Sequence, residues 1–166
     1  MNIVSIILAR GGSKGIPDKN IIDLNGRPLI YYSINAAQNA EISEVWVSTD
    51  SKKIAMVAKQ YGAKILDRPK TLATDISSSE DALNHFSQNI DFDIMVFIQP
   101  TSPLLYSDDI VKGLDLIKQG NYDSIFSVYK EHWIPRWDLN IKPINWSITN
   151  RPRRQDVDEK YVENGA

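Results

Sequence analysis

The chain of 166 residues contains no cysteine. That excludes disulfides and thiolate-bound metals, and it fits a reducing cytoplasm. Histidine is nearly as scarce. His85 and His132 are the only two, and neither has a partner at metal-ligand spacing or belongs to a Ser-His-Asp arrangement, so both read as core or surface residues. An excess of either charge is missing as well. Nineteen basic residues stand against 21 acidic ones, a net charge of −2. Such a balance argues against a general nucleic-acid binder and makes any anion site local. Long apolar runs are absent. The first, Ile3–Ala9, is too short to cross a bilayer, and no basic region of a signal peptide precedes it. A membrane partner is therefore not expected. The chain also has no Walker loop, no Gly-x-Gly-x-x-Gly fingerprint and no internal repeat.

What is present is an alternation of strand-like and helix-like segments. Ile3–Ala9 is a continuous β-branched run, the pattern of a strand covered on both faces. Pro28–Ala40 reads as a helix with Leu29, Ile30, Ile34 and Ala37 on one stripe. Further strands are expected at Glu44–Ser48, Ala63–Leu66, Ile94–Ile98 and Ser124–Tyr129. Between them, Ser51–Tyr61 reads as a helix closed by Gly62. Ser77 and Glu80 have capping-box spacing at the head of a helix running to Gln88. Ser107 is expected to cap a helix that carries Asp108 and Asp109 in its first turn and ends at Gly120. Crossovers of this length predict an α/β domain with a mostly parallel sheet covered by helices on both faces. The length suits a single domain.

The first strand runs straight into Arg10-Gly11-Gly12-Ser13-Lys14-Gly15-Ile16-Pro17-Asp18-Lys19-Asn20. Ligands of open α/β sheets sit at the carboxyl ends of strands. The glycines let backbone N–H groups approach an anion with no Cβ in the way. Arg10 can grip phosphate oxygens through its planar fork, and Lys14 supplies a compact mobile charge. Ser13 adds a hydroxyl donor. An ordinary Gly-rich turn with a solvated charged face is the competing reading.

This loop resembles the signature of the acylneuraminate cytidylyltransferases, the CMP-sialic acid synthetases. The resemblance continues through Gly26-Arg27-Pro28-Leu29-Ile30, Val47-Ser48-Thr49-Asp50, Arg68-Pro69 and Leu72-Ala73-Thr74-Asp75 with Ser77-Ser78-Ser79. It then runs through Gln99-Pro100-Thr101-Ser102-Pro103-Leu104 and Arg151-Pro152-Arg153-Arg154-Gln155-Asp156 to Glu163-Asn164-Gly165-Ala166. It implies a nucleotide-diphospho-sugar transferase-like fold and transfer of CMP from CTP to the anomeric hydroxyl of a sialic-type acid, with release of pyrophosphate. Cytidylyltransferases for legionaminic or pseudaminic acid are the alternative; Gln99-Pro100-Thr101-Ser102-Pro103 argues against 3-deoxy-manno-octulosonic acid. A truncated nucleotide-binding dimer without turnover is a further alternative.

The resemblance puts Arg10, Gly11, Gly12, Ser13, Asn20, Arg68, Ser77 and Ser79 at the nucleotide, and Gln99, Thr101 and Gln155 at the sugar. It gives Lys14 and Arg154 to the chemical step; counted back from Asn164, Arg154 rather than Arg153 matches. Several of these have plainer readings: Ser77 as a helix cap, Thr101 as a turn hydroxyl, and Arg151, Arg153 and Arg154 as a surface cluster answered by Asp156, Asp158 and Glu159. Mg2+ or another divalent cation is implied too, but the family's metal-binding aspartates follow the Asn-Gly-Ala motif, beyond Ala166, so the domain reads as incomplete and the ligands as unknown. Finally, His132–Arg151 holds Trp133, Trp137 and Trp146 with Ile134, Ile141 and Ile144. So much apolar surface must be buried, either on its own sheet or, as the resemblance suggests, as a homodimerisation arm.

Overall fold

The computed structural model describes residues 1–132 and 134–164. The expected sheet is there. Strands β1 (Ile3–Leu8), β2 (Glu44–Thr49), β3 (Lys64–Asp67) and β4 (Ile94–Ile98) form a four-stranded sheet in the order β3-β2-β1-β4, and every pairing is parallel. The apolar β1 lies inside, with Ile7 opposite both Val47 and Ile98.

Because side chains alternate along a strand, the two faces of the sheet build two cores. On one, Ile7, Val45, Val47 and Ile98 pack with Ile30 and Ile34 of α1 (Leu29–Asn39), Ile54 and Ala58 of α2 (Lys52–Gln60), and Ile110 and Leu114 of α4 (Ser107–Lys118). On the other, Val4 and Ile6 pack with Phe86 of α3 (Ser79–Ser87). Helices therefore cover both faces. Ser51 caps α2 by accepting the Ile54 N–H at 3.4 Å, and Gly62 follows at φ +84°, the left-handed position that glycine takes without a Cβ penalty.

Three local expectations are corrected. Ser78 and Asp81, not Ser77 and Glu80, form the capping box of α3, because the Ser77 hydroxyl is used within its own turn: it accepts the Thr74 N–H and donates to the Thr71 carbonyl, both at 3.1 Å. Tyr106 occupies the N-cap of α4 and makes no side-chain cap bond; Ser107 is already inside the helix. The strand expected at Ser124–Tyr129 begins only at Val128. This β5 (Val128–Glu131) pairs antiparallel with β6 (Lys160–Glu163), outside the parallel sheet.

The chain divides into two compact units, Met1–Ile125 and a second that begins at Phe126. The second holds the β5–β6 ladder. Trp137 bridges to Pro143 and packs edge-on against Trp146, with ring centroids 5.0 Å apart. The Arg151 guanidinium lies 5.2 Å from the centre of the Trp146 ring. Ile134, Leu139, Ile141, Ile144 and Ile148 are exposed, and Trp133 lies outside the described residues. No described helix is long and apolar enough to cross a membrane.

Candidate functional site

The strand order sets where a ligand can sit. From β1 the chain steps outward to β2 and β3, then returns to place β4 on the other side of β1. Such a reversal opens a crevice at the carboxyl ends of the strands. A cavity of about 670 Å³ lies there. Arg10, Ser13, Lys14 and Asn20 reach it from the loop after β1, Arg68 from the end of β3, and Gln99 and Thr101 from the end of β4. Ser77 and Ser79 line it from the approach to α3, and Leu8 and Phe97 supply apolar surface. Residues far apart in sequence thus meet because four parallel strands end together.

The charges in this crevice converge. One oxygen of Asp75 takes the Arg10 guanidinium at 2.8 Å and the other takes the Lys14 ammonium at 2.5 Å. Lys14 and Arg10 together hold the Asp75 carboxyl below the usual carboxylate range. Two cations that reach both oxygens of one small anion can reach two oxygens of a phosphate in the same way. Sequence reasoning gave Asp75 no role. It sits 65 residues from Arg10, and no spacing rule brings the two together.

Arg68 is nearly buried. Its Nε donates to the Ser48 hydroxyl at 2.9 Å and its Nη2 to the Ser48 carbonyl at 2.7 Å. Burial pushes the guanidinium below its ordinary value, the charge of Asp50 opposes that shift, and Arg10 adds to it. The bonds to Ser48 aim the side chain at the crevice. Asn20 is buried as well. Its amide donates to the Arg10 carbonyl at 3.0 Å, and its Oδ1 has no protein hydrogen-bond partner. A buried acceptor left open is costly unless a donor arrives.

Gly11 and Gly12 lie in the loop itself. Gly11 must be glycine for space, since a Cβ there would meet the Ser51 Cβ at 2.9 Å, whereas Gly12 stands in open space. The Gln99 carbonyl accepts the Ser33 hydroxyl at 3.3 Å, which fixes the backbone where the strand ends. Arg154 and Gln155 are in a short turn, Arg154–Asp156, of the second unit and are exposed. There it is Arg153 that pairs with Asp156, at 2.8 Å. Among the described residues no group of three or more His, Asp or Glu is placed to hold a metal ion.

The cytidylyltransferase family pattern matches residues 4–163. The chain is 43% identical over 174 residues to N-acylneuraminate cytidylyltransferase A of Danio rerio, a match covering 99% of this chain and 40% of that one. It is 40% identical over 178 residues to the pseudaminic acid cytidylyltransferase of Campylobacter jejuni, covering 100% of this chain and 77% of that one. Among solved structures, a CMP:2-keto-3-deoxy-manno-octonic acid synthetase complexed with CTP superimposes with a TM-score of 0.65 at 26% identity, over 77% of this chain and 51% of that one. The chain spans about 40% of the length of the N-acylneuraminate cytidylyltransferases of Danio rerio and Oncorhynchus mykiss that it matches.

Proposed function

The chain belongs to the cytidylyltransferase family, and from that premise we propose that it transfers CMP from CTP to the anomeric hydroxyl of a sialic-type nine-carbon acid, releasing pyrophosphate. The observation that carries this reading is the convergence of Arg10 and Lys14 on one carboxylate at the crevice. In the proposed reaction the sugar hydroxyl attacks the α-phosphorus of CTP, a new O–P bond forms, the bond to the pyrophosphate oxygen breaks, and the hydroxyl proton passes to water. Catalysis of that kind rests on alignment and on cations aimed at growing charge.

Arg10, Gly11, Gly12 and Ser13 are proposed to hold the phosphates, with Lys14 following the charge onto the leaving group. Asn20, Arg68, Ser77 and Ser79 are proposed nucleotide contacts, and the open Asn20 Oδ1 suits an N–H of the nucleotide. Gln99, Thr101 and Gln155 are proposed for the sugar acid and Arg154 for the chemical step. A divalent cation is the family's expected companion. The described residues do not fit one: both Asp75 oxygens face cations and one Asp50 oxygen accepts a backbone N–H. No step is assigned to a metal.

Pyrophosphate release, measured with CTP and N-acetylneuraminate, tests the reading. Release should require both substrates. CTP binding with no release from any sialic-type acid would contradict it. The Campylobacter relative, matched along the whole chain, makes pseudaminic acid the second acid to try.

Because Asp75 sits where phosphate oxygens are proposed to bind, Asp75→Asn should tighten pyrophosphate binding. Two solvent-exposed ion pairs must break when the ligand enters, and pairs of that kind are individually weak, so the gain should be a modest one, on the order of a few-fold. The depressed pKa fixes the sign with pH. The pairing is complete above the ordinary carboxylate value and is lost as pH falls through the depressed one, so variant and wild type should converge in acid. Titration calorimetry checks this, and weaker binding in Asp75→Asn would contradict it.

Residues 132–151 are proposed as a homodimerisation arm, because Ile134, Ile141 and Ile144 are exposed there and aromatic and aliphatic clusters of this kind are typical of subunit interfaces. Sedimentation across a wide concentration range should show a dimer. A monomer throughout would contradict the proposal.

A further inference from the structure

We propose that Asp50 is the positioning residue of the proposed phosphate loop. Its carboxylate takes the Gly11 N–H, fixes the Arg10–Gly11 peptide and so sets where the Arg10 side chain and the Gly12 N–H that follows point. The proposal rests on the nucleotide reading above and assigns a residue to which that reading gave no part.

The Arg10–Gly11 peptide is gripped at both polar ends. Its carbonyl accepts from the Asn20 side chain at 3.0 Å. Its N–H donates to Asp50 Oδ1 at 2.9 Å. A peptide unit is planar, so holding both ends fixes the plane and with it the dihedrals on either side. The Arg10 side chain leaves the chain at one edge of that plane, and the glycine pair follows at the other. The nearest other backbone ties flank this peptide: Ala9 N–H reaches the Ser48 carbonyl at 3.0 Å, and Ser13 N–H reaches the Gly11 carbonyl at 3.1 Å. Neither orients the Arg10–Gly11 plane.

The loop is also seated tightly on the corner that Asp50 begins. A Cβ on Gly11 would meet the Ser51 Cβ at 2.9 Å and Asp50 Oδ1 at 3.7 Å. Asp50 directly follows the last residue of β2, Thr49, and Ser51 caps α2, so the loop rests on a rigid element boundary. Asp50 itself does not line the crevice. A carboxylate close to a phosphate site opposes anion binding by its charge, which makes its effect on binding a diagnostic of its role.

The test uses the purified chain with CTP and with pyrophosphate alone as ligands, read by calorimetry. Asp50→Ala deletes both the charge and the acceptor. If the charge were all that mattered, this variant would bind anions more tightly. A positioning role predicts the reverse, about tenfold weaker binding of both ligands, the size of one hydrogen bond to a charged group. Asp50→Asn keeps an oxygen acceptor and should recover most of the loss. Hydrogen exchange at the Gly11 amide should be slow in wild type and Asp50→Asn and fast in Asp50→Ala. Should Asp50→Ala fail to fold, Gly11→Ala poses the same question from the loop side. It should weaken binding, and adding Ser51→Gly, which removes the colliding Cβ, should restore it. Intact wild-type binding that is unchanged or tighter in Asp50→Ala, or in Gly11→Ala if that variant is needed, overturns this proposal alone. A wild-type chain that binds neither ligand overturns the nucleotide reading and this proposal with it.

Discussion

Replacing Arg10 with alanine should weaken CTP binding by about 10- to 100-fold and leave the melting temperature nearly unchanged. The binding loss follows from one charge-assisted hydrogen-bonding group, about 1.5–3 kcal/mol. The small stability effect follows from the environment. Arg10 is partly exposed, its side-chain partner is the exposed Asp75, and solvent screening leaves a pair of that kind little net effect on stability. The backbone would stay in place, because the Asn20 and Asp50 bonds are made to the Arg10–Gly11 peptide and not to the side chain. Arg10→Lys should fall between, keeping the charge and losing the fork. Calorimetry with CTP beside a thermal melt checks both halves. Full CTP affinity in a folded Arg10→Ala would remove Arg10 from the site.

The second large effect is on stability. Phe86→Ala should cost about 3–5 kcal/mol, the range for deleting a buried phenylalanine. Phe86 is wholly buried and, with Val4 and Ile6, makes the core beneath α3. Its ring stacks on Phe92 at 5.7 Å and meets Trp46 edge-on at 6.1 Å. The other face of the sheet has three helices to share the load. Among the described residues this face has α3 as its one helix, so little is available to close the cavity. The loss should reach the site as well, since Ser78 and Ser79 at the head of α3 line the crevice. Chemical denaturation measures the change directly, and a loss below about 1 kcal/mol would mean that this core can collapse around the gap.

The parallel sheet was legible because its strands are short apolar runs between helical stripes, and burial on both faces leaves that pattern in Ile3–Ala9 and Ile94–Ile98. The loop after β1 was legible for a similar reason: its glycines and cations are adjacent in sequence. What the sequence hid depends on contacts between distant segments. Asp75 meets Arg10 and Lys14, and Asp50 holds Gly11, only because strand ends converge. The α3 cap slipped by one residue because Ser77 and Ser78 are chemically alike, and the choice between them was made by the turn that claims Ser77. Ser124–Tyr129 was expected as a further strand of the parallel sheet because its composition suits one; the strand that forms, Val128–Glu131, pairs with Lys160–Glu163, which is polar at both ends and carries too weak an alternation to announce the pairing.

The proposed function requires that the crevice at the ends of β1 and β4 receive CTP through the loop that begins at Arg10. Amide NMR of the isotope-labelled chain during a CTP titration tests it most directly. Saturable shifts should concentrate at Gly11, Gly12, Ser13, Lys14 and Gly15, with smaller ones at Ser77–Ser79 and Gln99. A folded chain whose loop amides stay still as CTP is added, or whose shifts cluster elsewhere, would contradict it.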